Sequence, residues 1–430
     1  MKKNVLLVGS GGREHAIFKA LKRSSRDLDI WTYPGNIGMD KDGGKKITDK
    51  INGWEELSVW AKDNKIDLCV VGPEIPLVEG ITDVFTAKNI PVFGPSKFAA
   101  QLEGSKKFSK DLMKKYNIPT AKYEVFTDKK SAENYINEVG APIVIKYSGL
   151  AAGKGVSVCE TKIDAVMAIT DIFDGGIFGN DCVVIEEMMF GEEASIFVLT
   201  DGTNYKILPT AQDHKRIFDG DKGPNTGGMG AYSPAPICDE KLLAEVEKTI
   251  IKPTLEAMKK EGGEYKGLLY VGIMATNKGA KVVEYNCRFG DPETEAVLPL
   301  VNCDWYDVFY ASATGDVSKV DWEVSKNYAA TIVLASKGYP ATAQKGIVIS
   351  GLDEAGKLEN VDVYHAGTVL NQAGEVVTNG GRVLSVTAWD ETLKKAIDRA
   401  YSAVSEIKFD GMQVRSDIGQ KGLKRLCTNE

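Results

Sequence analysis

Cysteine is sparse and unpatterned in this 430-residue chain: Cys69, Cys159, Cys182, Cys238, Cys287, Cys303 and Cys427 are odd in number and form no CxxC pair. That excludes a disulfide framework, argues against a structural zinc, and fits buried thiols in a reducing compartment. Membrane-length apolar runs are missing as well, and Met1-Lys2-Lys3 leads directly into the short segment Val5-Leu6-Leu7-Val8 without a signal-peptide core. A cytoplasmic location with no membrane partner is expected. Nor is there an excess of positive charge: 53 Lys and Arg against 60 Asp and Glu leave a formal net charge of -7. No broad nucleic-acid footprint is expected from that balance, although local clusters of Lys and Arg can still meet small anions. Internal repeats and low-complexity segments are absent too. With 43% hydrophobic and 26% charged residues, the chain can bury substantial cores and should divide into two to four globular units.

The order of the elements points to α/β architecture. Residues 4–9 form a short apolar run, followed by a Gly-rich turn and a helical pattern from Arg13 to about Lys22. Asp67 to Val71 repeats the theme, ending at Gly72-Pro73-Glu74, and Ile90 to Phe93 is the next strand. Strands alternating with helices imply a parallel sheet. Beyond Ser105 the texture changes. The strand Pro142 to Lys146 runs into a Gly- and Ala-rich loop, Gly149 to Gly155, and the strand Val183 to Glu187 completes a small α/β unit. A polar stretch from Ala211 to Ser233 has the length and composition of a functional loop. A long helix from Glu240 to about Lys260 then precedes a hairpin, Leu268 to Thr276 and Lys281 to Asn286. Past residue 327 strands and turns dominate, closed by a helix from Glu391 to Ile407.

Several segments carry chemistry. Gly9-Ser10-Gly11-Gly12-Arg13-Glu14 places backbone amides at a helix start, where they can cradle a phosphate with Arg13 as a bidentate donor. The dinucleotide fingerprint fails there, because its sixth position is Glu14 and the second strand ends at Trp31-Thr32-Tyr33 without an acidic residue. Gly149 to Gly155 contains Gly-Lys but not the Walker A spacing, so it is some other phosphate loop. In the run Val282 to Glu293, residues two apart share a strand face, so Glu284 and Asn286 present oxygen ligands side by side. Two hard oxygens suit magnesium held between protein and substrate phosphates. Gln212-Asp213-His214-Lys215-Arg216 and Gly223 to Gly230 suggest substrate and phosphate positioning, with His214 a candidate general base.

Together these segments resemble the glycinamide ribonucleotide synthetase family of the ATP-grasp superfamily. The matching motifs span nearly the whole chain: Gly11-Gly12-Arg13-Glu14-His15-Ala16, Pro34-Gly35-Asn36, Val71-Gly72-Pro73-Glu74, Gln101 to Lys106, Gly149 to Val156, Gln212 to Arg216, Gly223 to Pro236, Asn286 to Thr294 and Thr378 to Arg382. The resemblance implies three units. An N-terminal parallel-sheet α/β domain (residues 1–104) would bind the phosphorylated amine. A two-part ATP-grasp domain (105–327, with a lid at about 122–190) would clamp ATP, and a smaller C-terminal α+β domain (328–430) would close the far side.

It also implies roles. Lys106 and Lys146 would contact ATP phosphates, Glu186, Glu187, Met188 and Met189 would hold adenine, and Glu193 the ribose. Arg216 and Asn225 would approach the nucleotide, while Glu284 and Asn286 would bind Mg2+ or Mn2+. Gly11, Gly12, Arg13, Asn36, Glu74, Asp291 and Arg382 would bind substrate, and Arg288, Lys146 and Asp213 would serve catalysis. The implied reaction is ATP-dependent ligation of glycine to 5-phosphoribosylamine through glycyl phosphate, in purine synthesis, by a monomer. One departure stands out: the family usually reads Lys-Ala-Asp-Gly where this chain has Lys146-Tyr147-Ser148-Gly149. Three rival readings stay open at this point: another ATP-grasp enzyme that carboxylates or formylates a ribonucleotide, a nicotinamide-dependent oxidoreductase, and a non-catalytic nucleotide-binding regulator.

Overall fold

The strand Lys3–Gly9 is buried along nearly its whole length, as a central parallel strand must be. In the computed structural model, which describes residues 2–150, 155–175 and 182–428, it lies in the middle of a five-stranded parallel sheet. The order is Lys45–Lys46, Leu28–Pro34, Lys3–Gly9, Leu68–Val71, Val92–Phe93. Its side chains alternate between two cores: Leu6 and Val8 pack on one side, Val5 and Leu7 on the other. Both cores run on into the next unit, the first reaching Ile196, Val271 and Tyr285, the second Phe197, Leu268 and Trp305. The N-terminal sheet and the body of the second unit are therefore fused through apolar packing, at about 1.5–3 kcal/mol for each fully buried large side chain.

That body is an antiparallel sheet ordered Tyr205–Ile207, Glu192–Thr200, Gly267–Thr276, Gly279–Asn286. The lid is a second antiparallel sheet ordered Tyr123–Phe126, Val183–Glu187, Ile143–Tyr147, Val156–Cys159. Helices Lys129–Val139 and Lys162–Phe173 cover it, and its core, including Ile136, Ile145, Ile169 and Ile185, is its own. The tip of the glycine loop, residues 151–154, lies outside the described residues.

A third sheet is ordered Gln212–Asp213, Gly230–Ser233, Tyr328–Ala335, Arg382–Asp390, Val361–His365. Its first two strands come from the polar stretch, so the boundary expected at 327/328 does not separate two sheets. The hydrogen-bonding edge of Tyr328–Ala335 is satisfied by a segment almost a hundred residues upstream, a pairing invisible to local periodicity. Helix Leu393–Glu406 seats on this sheet through Leu393, Ala396, Ile397, Ala400, Ala403 and Val404, an i, i+3, i+4, i+7 stripe, and Thr392 caps its start by accepting from Lys395 N.

Other sequence expectations shift locally. The stretch from Glu74 to Lys88 forms two helices, Glu74–Glu79 and Ile81–Thr86, because Gly80 sits at φ 102° between them. The long helix persists from Glu240 to Lys260 but widens into a π turn over Glu247–Ile251, just before Pro253. Among the described residues no helix is long and apolar enough to cross a membrane.

Candidate active site

The lid, the body, the N-terminal sheet and the polar stretch enclose one large cavity of about 1080 Å³. Its wall includes Lys106, Lys146, Glu186, Glu193, Asp213, Arg216, Asn225, Glu284, Asn286, Arg288, Asp291, Arg382, Arg13 and Glu74, drawn from positions up to 369 residues apart (13 to 382). Gly11, Gly12, Asn36 and His214 are not part of that wall.

Lys106 begins the helix Lys106–Lys115, capped by Ser105. Its Nζ reaches Gly149 O at 3.3 Å, so the lysine stands at the root of the glycine loop. Ser148 accepts at the same helix start: its Oγ takes Lys107 N at 3.1 Å and its carbonyl takes Lys106 N at 2.8 Å. Ser148 thus works as a second, neutral cap. Ser148→Ala is expected to cost about 1 kcal/mol of stability, as capping losses do, measurable as a lower urea midpoint at unchanged slope.

Lys146, on a lid strand, donates to Val283 O at 3.1 Å on the body and pairs with Glu186 at 3.0 Å. Glu187 pairs with Lys281 at 2.9 Å, which joins the end of the strand Val183–Glu187 to the body. Met188 and Met189 follow in the connection to the strand Glu192–Thr200. Glu193 pairs with Lys215 at 2.6 Å.

Glu284 and Asn286 lie on the last body strand, while Tyr285 between them turns to the opposite side and shares a hydrogen bond with Thr254 Oγ1 at 2.6 Å. A bulge after Glu284's partner Gly272 shifts the register at Val283. No hydrogen bond or ion pair occupies the Glu284 carboxylate among the described residues, and Asn286 Nδ2 is buried without a partner. Burial acts to raise the Glu284 pKa, but the cations Lys215, Lys146, Lys106 and Arg288 outweigh it and hold the carboxyl below its ordinary value. An ionised, unengaged carboxylate beside an amide oxygen fits a hard divalent cation. No group of three or more His, Cys, Asp or Glu able to hold a metal occurs among the described residues. A metal on this pair would therefore be completed by substrate oxygens and water.

Asp213 behaves differently. Burial, with the neighbouring carboxylates Glu293, Glu193 and Glu284, pushes its pKa up to about 7 against the pull of Lys215. Glu293 accepts from Tyr270 OH at 3.0 Å. The cavity therefore carries one proton-accepting carboxyl poised near neutrality.

Arg288 is gripped by Glu103 (3.0 Å), Glu74 (3.2 Å) and its neighbour's carbonyl, Phe289 O. Three of its five N–H groups are used, leaving two. Burial works against the Glu74 charge, yet Arg288 and Arg13 hold its pKa down to about 2. Arg382 pairs with Asp291 Oδ1 at 3.3 Å and donates to the carbonyls of Asp291 and Gly227.

At the N-terminal glycine cluster, the place in front of the helix amides is filled by a side chain of the chain itself. Glu14 Oε2 accepts from Gly11 N at 2.6 Å, and Arg13 Nε donates to Glu14 Oε1. A Cβ at Gly9 would lie 2.3 Å from Glu14 Cγ, and one at Gly72 2.1 Å from Glu14 Oε1. These glycines make room for a buried carboxylate, so an anion arriving at Gly11 and Gly12 would meet another anion there. Asn36 is engaged as well, donating to Ser10 O (3.0 Å) and His365 O (2.7 Å) and accepting from Met39 N. It joins the first unit to the third.

His214, the candidate base, is buried and neutral. Burial pushes its pKa down to about 4, Nε2 accepts from Gly419 N at 3.3 Å, and the ring packs 5.9 Å from the Tyr232 ring. It does not line the cavity, and a pKa pushed so low makes it a weak proton acceptor.

Glu103 and Glu293, quoted from sequence only as members of motifs, and Lys110 and Tyr270, given no role there, all lie on the cavity wall. Lys110 had one available signal, lying a helical turn from Lys106 on the same helix.

The family description "Phosphoribosylglycinamide synthetase, N domain" matches residues 3–103, the ATP-grasp (A) domain residues 104–294, and the C domain residues 329–421. The chain belongs to the phosphoribosylglycinamide synthetase family. It is 46% identical over 424 residues to the phosphoribosylamine-glycine ligase of Neisseria meningitidis serogroup B, covering 98% of this chain and 100% of that one. It is also 46% identical over 435 residues to the trifunctional purine biosynthetic protein adenosine-3 of Gallus gallus, of which it spans only 43%. The crystal structure of the Thermotoga maritima phosphoribosylamine-glycine ligase superposes with a TM-score of 0.81 at 34% identity, covering 96% and 99% of the two chains. A biotin carboxylase domain from Hydrogenobacter thermophilus, at 17% identity and a TM-score of 0.72, covering 96% and 91%, shares the fold alone.

Glu295 is wholly buried, and neither carboxylate oxygen has a hydrogen-bond partner among the described residues. A Cβ at Gly12 would lie 2.5 Å from its Oε1. Burial, then the Asp291 carboxylate, raise its pKa well above the ordinary value despite Arg382 and Arg13. The folded form therefore binds this proton more tightly than the unfolded chain, which releases it above about pH 4.3. Stability from this group is greatest below that pH and declines as pH rises. Glu295→Gln is expected to flatten the decline and to gain stability relative to the parent at pH 8 but not at pH 4. Parallel urea curves at both pH values for parent and variant would discard the assignment.

Proposed function

We propose that the chain joins glycine to 5-phosphoribosylamine with ATP, giving N1-(5-phosphoribosyl)glycinamide, ADP and phosphate, as the purine-synthesis step its relatives are named for. The observation that carries this reading is the Glu284 carboxylate, which makes no hydrogen bond or ion pair with the described residues, set in one cavity with Asn286, Lys106, Lys146 and Arg288 in a chain of the matching family. Carboxylate activation needs that combination. Glycine's carboxylate is anionic and lacks a leaving group, so its oxygen must first attack the γ-phosphorus of ATP, releasing ADP and leaving glycyl phosphate. Two anions meet in that step, and Lys106, Lys146 and Arg216 offset the repulsion. Mg2+ or Mn2+ held by Glu284 and Asn286 would supply further charge neutralisation on the phosphates.

The amine of phosphoribosylamine then attacks the acyl carbon, the C–N bond forms, and phosphate leaves with the former carboxylate oxygen. The nitrogen must shed a proton, and Asp213, poised near neutrality, takes it. The two free N–H groups of Arg288 steady the developing oxyanion. Glycyl phosphate would react with water, so the lid, which has its own core, closes over it. Arg13, Glu74, Asp291 and Arg382 form the wall that receives the phosphorylated amine. The protein acts as a cytoplasmic monomer on small molecules.

ADP release, measured with glycine, ATP, metal and phosphoribosylamine generated in place, tests the reading by omission. Full ADP formation is expected only with every component present, and ADP formation indifferent to glycine would overturn it in favour of another ATP-grasp reaction.

A further inference from the structure

Three charged side chains meet inside the nucleotide end of the cavity, and all are buried: Lys110, Lys146 and Glu186. Both ammonium groups bind the same carboxylate oxygen, Glu186 Oε2, at 3.1 Å from Lys110 and 3.0 Å from Lys146. Each lysine is also tied to the body strand Gly279–Asn286. Lys110 donates to Thr120 Oγ1 at 2.7 Å, whose hydroxyl donates to Val282 O at 2.7 Å, and Lys146 donates to Val283 O at 3.1 Å. The other carboxylate oxygen, Glu186 Oε1, is buried and has no partner among the described residues. Glu186 lines the cavity with Met113, Val156, Val158 and Met274, apolar side chains suited to a flat ring.

A carboxylate with one oxygen doubly bound and the other bare has a defined direction. The bare oxygen can only accept, and in a site of this polarity an incoming donor is what satisfies it. Were Lys110 missing, Lys146 alone would hold the carboxylate, and either oxygen could turn to it. Resting on the nucleotide reading above, we propose that Lys110 is a positioning residue for base selection. By pinning Oε2 it keeps Oε1 available to accept from the exocyclic amine of a 6-aminopurine. A 6-oxopurine would set a carbonyl oxygen against that same oxygen, acceptor against acceptor, and is rejected. Lys110 touches neither the base nor the reacting atoms, and its effect passes through Glu186.

The test compares binding of MgATP and of its 6-oxo analogue, MgITP, to the full chain by calorimetry, without glycine or amine. The parent protein is expected to prefer ATP by at least about tenfold, the size of one hydrogen bond to a charged group. Lys110→Met should weaken ATP by about that factor and leave ITP nearly unchanged, so the ratio collapses. Lys110→Arg, which keeps the cation, should retain the preference. A purely structural role would instead lower both affinities together. A folded Lys110→Met protein with the parental ATP-to-ITP ratio would overturn the proposal. Should that variant fail to fold, Glu186→Gln decides: its amide N–H can donate to a 6-oxo group, so the ratio should move toward ITP, and an unmoved ratio overturns the inference. A parent protein that binds no MgATP at all would defeat the nucleotide reading itself, a separate outcome.

Discussion

Glu284→Ala is expected to lower metal-dependent ADP formation by at least about 10²–10³-fold, the range for removing one preorganised electrostatic contact at a reacting centre. The fold should survive, because the carboxylate makes no hydrogen bond or ion pair with the described residues. Its removal relieves an acidic neighbour of Asp213 but leaves Lys215, Lys146, Lys106 and Arg288 less compensated, so a modest loss of thermal stability, well short of unfolding, is expected. The reading is specific about metal: raising Mg2+ or Mn2+ should restore little, since Asn286 alone offers a single neutral oxygen. Steady-state ADP release across a metal titration, with the melting temperature as a control for folding, measures this. Near-parental activity at low metal would remove Glu284 from the proposed metal site.

The elements that sequence made legible are those whose signal is local. The buried run at residues 4–9, the hairpin strands from Leu268 to Asn286 and the C-terminal helix each carry their signal within one element, and each appears within a residue or two of its expected place. Glu284 and Asn286 were legible for the same reason, since strand pleat alone puts them on one side. What failed to show depended on distance. Gln212–Asp213 and Gly230–Ser233 read as loop because their strand character comes from pairing: Gly230–Ser233 lies between Tyr328–Ala335 and Gln212–Asp213 and pairs with both. The glycine cluster suggested a phosphate cradle because a single sequence cannot reveal that Glu14 folds back into it and that Gly72, on another strand, makes room for the same carboxylate. His214 looked available because no local motif betrays Gly419, 205 residues on, as its partner.

The same logic explains where charge gathers. Arg288 belongs to the body, yet both its carboxylate partners, Glu74 and Glu103, come from the first hundred or so residues. Asn36 and His15 reach His365 in the third unit in the same way. The cavity is therefore braced by polar contacts between units and cannot be assembled by any one of them alone. The lid keeps a separate core and meets the rest of the chain through polar contacts, among them Ser148 and Gly149 at the helix start, the bridges of Lys146 and Lys281, and the Lys110 network.

Asp213 gives the second large effect. With its pKa near 7 in the free protein, kcat/KM should rise with pH along a limb centred near 7, because only the ionised carboxyl can accept the amine's proton. At pH 6 the rate should stand at about a tenth of its plateau, following the ionised fraction. Asp213→Asn keeps the shape, removes the proton acceptor, and is expected to cost about 10²–10⁴-fold, the usual contribution of a positioned general base. The decisive reading is the profile rather than the size of the loss. Residual activity of the Asn variant should be flat through pH 6 to 8, since the titrating group is gone, while the affinity for MgATP stays close to that of the parent. A limb near 7 that survives in Asp213→Asn would place the proton acceptor elsewhere. His214 could not take its place: its pKa lies near 4 and it does not line the cavity, so the search would turn to Glu293, which shares the same hydrogen-bonded group with Tyr270 and Ser195.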